Sequence, residues 1–116
     1  MVPRWTLFVK LTGMTEMRSK DKFTLIWTPT FVRTARKFIK RHPPLKGMFE
    51  DVIKYLEENP FTSRLRLHPL KGRRAGKHAV SITYDYRIVL ILKITRKEII
   101  LLDIGTHDEV YRDAGK

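Results

Sequence analysis

His107 and Tyr111 stand four residues apart, just after an apolar run that stops at Gly105. Leu101-Leu102-Asp103-Ile104 reads as a buried strand, so both groups emerge at a strand end, where the backbone is held and side chains reach solvent. Each can donate or accept a proton, which is what general acid–base chemistry requires. A lone histidine in such a position is ordinarily a surface residue. Here the preceding glycine and the following tyrosine turn the reading towards function. His68, in Leu67-His68-Pro69-Leu70, is a weaker candidate, equally readable as a turn residue bonded to backbone. His78 and His42 read as strand-start and helix-end residues, His42 where a cation suits the helix dipole.

The charge of the chain says what such a pair would act on. There are 24 Lys and Arg against 12 Asp and Glu, a net charge of +12, and a field of that sign attracts polyanions. Between Phe61 and His78 the cations are Arg64, Arg66, Lys71, Arg73, Arg74 and Lys77, with no acid among them. That stretch is expected to contact nucleic acid or phosphate. Cysteine is absent, which excludes disulfides, thiolate metal sites and a cysteine nucleophile. The histidines lack metal-ligand spacing, and Lys71-Gly72-Arg73-Arg74 lacks the spacing of a Walker phosphate loop, so neither metal nor cofactor is expected. No zinc-finger or homeodomain signature occurs. The apolar segment Trp5 to Leu11 is short and broken by Lys10, and no run approaches the ~20 residues of a membrane span. A cytoplasmic protein without a membrane partner is expected.

Positioning these groups falls to one domain, given 116 residues. Phe23 to Trp27 predicts a strand, and Thr28-Pro29 a helix start with a hydroxyl cap and proline in the first turn. Phe31, Ala35 and Phe38 form the apolar stripe of that helix, which His42-Pro43-Pro44 ends. A second helix spans about 45–58, with Leu45, Phe49, Val52, Ile53 and Leu56 on one face. Glu50, Asp51, Glu57 and Glu58 read as its solvated face. Three strands follow at about 78–84, 86–94 and 98–104, with hairpin turns at Asp85 and at Thr95-Arg96-Lys97. The last two are nearly all apolar and belong at the sheet centre. The expected fold class is α+β in the order β-α-α-β-β-β, a helical hairpin on a mainly antiparallel sheet. It occupies 23–116, after an N-terminal extension at 1–22 that is either a tail or an added element docked on the fold. Met14 and Met17 offer alternative starts.

Four segments in this order resemble the RelE/ParE superfamily of toxin–antitoxin toxins. They are Trp27-Thr28-Pro29-Thr30-Phe31, His68-Pro69-Leu70-Lys71-Gly72, Tyr84-Asp85-Tyr86-Arg87-Ile88 and Gly105-Thr106-His107-Asp108-Glu109-Val110-Tyr111. The ending is most similar to the RelE and YafQ branches. The resemblance implies a microbial-ribonuclease-like fold and an mRNA endonuclease, usually acting on ribosome-bound message. By the same resemblance His107 is the C-terminal catalytic histidine and His68 a second site histidine. Asp85 is the hairpin aspartate, Tyr111 the aromatic closing the site, and Arg87 the strand arginine. Two positions depart from the YafQ pattern: Ser81 stands where a histidine is expected, and Asp103 where an arginine is expected.

The chemistry so implied is metal-independent attack of a 2′-OH on the adjacent phosphate. His107 would act as general acid, Arg87 and Lys71 as phosphate cations, His68 or Asp85 as base or orienting group, and Tyr111 as a base-stacking residue. A toxin also implies an antitoxin, expected to carry an acidic, partly disordered segment that neutralises the basic surface. Two other functions fit the charge: a ParE-like gyrase inhibitor and a non-catalytic nucleic-acid-binding module.

Overall fold

The residue before Pro29 sets the first helix. The Thr28 hydroxyl accepts the Phe31 N–H at 3.2 Å and donates to the Leu101 carbonyl at 2.7 Å, so one side chain starts a helix and ties it to the sheet. In the computed structural model, which describes residues 22–114 with side chains as far as Val110, the first strand β1 covers Thr24–Trp27 and helix α1 covers Pro29–Arg41. The extension at 1–22 lies outside the described residues except for Lys22. Helix α2 covers Lys46–Glu58 after a short 3-10 turn at Pro43–Leu45. Strands β2 (His68–Pro69), β3 (His78–Ser81), β4 (Tyr86–Lys93) and β5 (Glu98–Thr106) follow, and helix α3 covers His107–Ala114.

The five strands form one sheet in the order β1-β5-β4-β3-β2, with β1 parallel to β5 and the remaining pairs antiparallel. The α+β class, the helical hairpin and the central position of the two apolar strands are as the sequence predicted. Phe31 and Phe49, both 0% exposed, join Ile88, Leu90, Ile99 and Leu101 in the core between the two helices and one sheet face. The opposite face carries a smaller cluster of Leu70, Ala79, Val89 and Val110, with Leu102 packed on it. Val89 pairs with Asp103 and Leu90 with Leu101, so Leu102 is the extra residue of a bulge. The bulge shifts the alternation of β5, so that Leu101 and Ile104 both pack with the large core.

Four expectations need correction. The short edge strand β2, within the basic stretch, was not expected; it forms because His68 and Pro69 pair with Ala79 and His78 of β3. Helix α3 was not expected, although Thr106-His107-Asp108-Glu109 is a capping box: the Thr106 hydroxyl accepts the Glu109 N–H at 3.1 Å and the Glu109 carboxylate accepts the Thr106 N–H at 2.9 Å. Strand β3 ends at Ser81 rather than residue 84, because Ile82 to Asp85 curl into a turn whose Ile82 N–H donates to the Tyr86 carbonyl at 2.9 Å. Glu57 belongs to the buried side of α2, not its solvated face; it is 9% exposed, and its carbonyl accepts the Phe23 N–H at 2.8 Å. That bond ties the residue before β1 to the last turn of α2.

Because Thr28 bonds both to α1 and to β5, Thr28→Ala is expected to lose about 1–2 kcal/mol of stability. Urea unfolding with a lowered midpoint and an unchanged m-value checks this.

Candidate active site

Strand alternation decides which side chains share the sheet face opposite the helical hairpin. Ile88 and Leu90 of β4 point into the large core, so Arg87 and Val89 point the other way. Register then sets two rows across that open face. One joins Ser81, Arg87 and Gly105; the other joins His68, Ala79, Val89 and Asp103.

Arg87 lies between β3 and β5 and is only 6% exposed. Its Nη1 donates to the carbonyls of Thr83 at 2.5 Å, Tyr84 at 2.8 Å and Tyr86 at 3.2 Å. The guanidinium therefore clasps the β3–β4 turn from inside. That turn meets the start of α3: the His107 N–H donates to the Asp85 carbonyl at 2.7 Å, and the His107 ring stacks on Tyr84 with centroids 5.6 Å apart and planes 12° from parallel. The His107 side chain is 39% exposed, with Nδ1 3.6 Å from the Asp108 carboxylate. It is held but reachable, as a proton-transfer group must be. Gly105 makes this approach possible. A Cβ there would lie 3.2 Å from Val110 Cγ2, a tight contact to which the Val110 side chain would have to yield by a few tenths of an ångström.

The structure thus brings together His107, Asp85 and Arg87 among the site residues predicted from sequence. His68 stands apart from them on the edge strand β2, three strand spacings from β5, or about 14 Å. Its Nδ1 lies 2.6 Å from the Arg66 carbonyl, the backbone bond that was the alternative reading of this residue. Tyr111 falls within α3, but its side chain lies outside the described residues. Two groups at the site were missed. Tyr84, 76% exposed, supplies the stacking surface for His107, and Asp108 flanks Nδ1. The turn sequence Tyr84-Asp85-Tyr86 carried the aromatic signal, but only the folded turn shows which ring meets the histidine.

The basic stretch divides in two. Arg64, Arg66, Lys71 and Arg73 are exposed, while Arg74 and Lys77 are half-buried. Arg64 is engaged with α2, donating to the Tyr55 hydroxyl at 2.6 Å and lying 5.5 Å from that ring's centre. Arg74 lines a cavity of about 430 Å³ with Asp103, Gly105, Glu109 and Val110. Asp103, standing where an arginine was expected, thus shares a cavity with an arginine from another element. No cluster of three or more His, Asp or Glu that could hold a metal ion occurs among the described residues.

Comparison with known proteins decides the family. A family model described as a bacterial toxin of a type II toxin–antitoxin system, YafQ, matches residues 12–112. This chain belongs to the YafQ toxin family. The match begins inside the segment set apart as the extension and ends one residue beyond Tyr111. No curated protein matches the sequence. Among solved structures, this YafQ-family chain is similar to YafQ from Escherichia coli, with a TM-score of 0.64 at 17% identity over 78% of this chain and 99% of that one. It is also similar to a chain of the E. coli DinJ–YafQ toxin–antitoxin complex, with a TM-score of 0.63 at 18% identity over 78% and 98%. A toxin–antitoxin complex from Mycobacterium tuberculosis gives 0.58 at 20% identity over 74% and 92%. At these identities the structures speak for the fold, which they share with this toxin.

His78, at the start of β3 and paired with Leu90, has a buried Nδ1 with no hydrogen-bond partner. Burial, and secondarily the charge of His68, hold its pKa below the ordinary 6.5. A histidine with a depressed folded-state pKa leaves stability untouched above 6.5 and removes it as pH falls below that value, because the unfolded chain then binds the proton more readily. Stability is therefore expected to drop between about pH 7.5 and 5.5, and His78→Gln to flatten that drop, as read from urea unfolding at both pH values.

Proposed function

We propose that this toxin is a metal-independent endoribonuclease that cleaves mRNA, on the ribosome, and so stops translation. The seating of His107 carries the proposal: an accessible imidazole stacked on Tyr84, on a residue whose main-chain N–H is anchored to the Asp85 carbonyl, at the mouth of a cationic face. In the reaction the 2′-oxygen attacks the adjacent phosphorus, the bond from phosphorus to the 5′-oxygen breaks, and two protons move. The base takes one from the 2′-OH; the acid gives one to the departing 5′-oxygen. With Nδ1 beside Asp108, Nε2 of His107 is assigned as the proton donor. Asp85, whose main-chain carbonyl accepts the His107 N–H, is assigned as the base in preference to the more distant His68. Arg87 positions the pair through the turn and adds its fixed charge. Lys71 and Arg74 supply cations for the phosphate. Tyr111 stacks on a base in this scheme, and Arg64, Arg66, Arg73 and Lys77 extend the RNA contact.

The partner of such a toxin is an antitoxin whose acidic, partly disordered segment covers this face. DinJ stands in that relation of antitoxin to YafQ in the E. coli complex. The gyrase-inhibitor and simple binding-module readings have no use for an accessible histidine held in this way.

His107→Ala is expected to lower the cleavage rate by roughly 10²–10⁴-fold, with the protein still folded. Primer extension on message from expressing cells should show cuts within translated codons that disappear in this variant. Cleavage by purified toxin should survive EDTA when ribosome integrity is controlled. A variant with full activity refutes the role of His107, and double-strand breaks in DNA without message cleavage refute the ribonuclease reading. Reversing charge at Arg73 and Arg74 should weaken RNA binding and reduce its dependence on salt. A salt dependence equal to that of the unaltered toxin would remove this stretch from the interface.

A further inference from the structure

Thr106, the residue immediately before His107, also lines a second cavity of about 240 Å³, between the last turns of α1 and the start of α3. Lys37 and Arg41, one helical turn apart, stand on its α1 side with His42 next to them, and Tyr86 of β4 contributes from the sheet. The Tyr86 hydroxyl lies 3.1 Å from His42 Nε2. Phe38, His42 and Tyr86 pack ring against ring, with centroid separations of 5.2, 5.1 and 4.9 Å, so the polar groups sit on a rigid aromatic base. Glu109 is the one acid among the lining residues, and its carboxylate is engaged with the Thr106 N–H.

We propose that Lys37, Arg41 and the His42–Tyr86 pair form a second phosphate subsite, which takes the backbone of a nucleotide flanking the cleaved one in a single-stranded RNA. This rests on the ribonuclease reading and extends it to how the substrate is held. Three observations carry it. The first is the convergence of two permanent cations with imidazole and phenol groups, which matches an anion with several acceptor oxygens. The second is continuity. Thr106 immediately precedes His107, and Ile104, Gly105 and Glu109 line both this cavity and the one walled by Arg74 and Asp103. The third is the pairing of cations with aromatic rings, the combination that holds single strands without reading their sequence. The cavity also opens along a cationic helix face, since Arg33, Arg36 and Lys40 are exposed on α1. A flanking strand has further charge to follow there.

The test uses the full chain carrying His107→Ala, so that a labelled single-stranded RNA is bound without being cut. In that background Lys37→Ala with Arg41→Ala should weaken binding about 10-fold at moderate salt. It should also reduce the slope of log affinity against log salt by about 0.7 for each phosphate no longer neutralised. Lys93→Ala with Arg96→Ala, at the opposite end of β4 some 20 Å away, removes the same charge as a control and should leave the slope unchanged. In the catalytically intact protein the Lys37 and Arg41 changes should raise KM and leave kcat within about 2-fold. Equal losses in the two double variants mean general electrostatics and overturn the subsite. So does undiminished RNA binding accompanied by weaker binding of the antitoxin, which would assign the cavity to an acidic peptide. Absence of cleavage by the unaltered toxin, with the binding result as expected, would instead sink the ribonuclease reading and keep the subsite.

Discussion

A buried guanidinium holds the working end of this molecule together. Removing a charge from water is costly unless polar partners replace the solvent, and Arg87 meets three carbonyls through one nitrogen. Two of those carbonyls, of Thr83 and Tyr84, belong to the turn between β3 and β4 and the third to Tyr86, the first residue of β4, so the requirement to satisfy the cation is also a requirement on the turn's shape. The turn in turn offers the Asp85 carbonyl to the first amide of α3 and the Tyr84 ring to His107. A chain of short-range bonds therefore runs from the sheet interior to an accessible imidazole, with few soft torsions between. Arginine suits this task because its planar fork keeps its charge at any physiological pH.

The two faces of the sheet divide the work. One is sealed by α1 and α2 over a core of Phe31, Phe49, Ile88 and Leu101, and it supplies the stiffness. The other carries a small apolar cluster ringed by Arg74, Asp103 and Glu109. Helix α3 sits where the two regimes meet. Its capping box holds Glu109 against Thr106, and Gly105 leaves room for Val110 to close on the strand.

The replacement of an expected arginine by Asp103 has a structural counterpart. Arg74 comes from the 3-10 turn at Gly72–Arg74 and lines the same cavity as Asp103. The guanidinium and the carboxylate thus come to one cavity from different elements. The charge field over the face is a sum over positions, and it constrains individual residues less than hydrogen-bond geometry does.

Much of this was legible in the sequence because it depends on local rules. Period and cap chemistry marked β1, α1 and α2: the Phe31, Ala35 and Phe38 stripe, the Thr28-Pro29 start and the apolar runs of β4 and β5 leave little choice of element. The net charge of +12 and the motif order through His107 by themselves indicated a polyanion-directed toxin. The capping box of α3 was equally present in the sequence, masked by the apolar run of β5 that leads directly into it. Tertiary structure alone decided the rest. Which ring stacks on His107, what the Arg87 guanidinium grips and how Glu57 is tied to the chain before β1 depend on strand register and on backbone bonds between distant residues. Those arrangements join residues distant along the chain. No local pattern encodes them, because burial and hydrogen-bond satisfaction are settled only when the whole sheet closes.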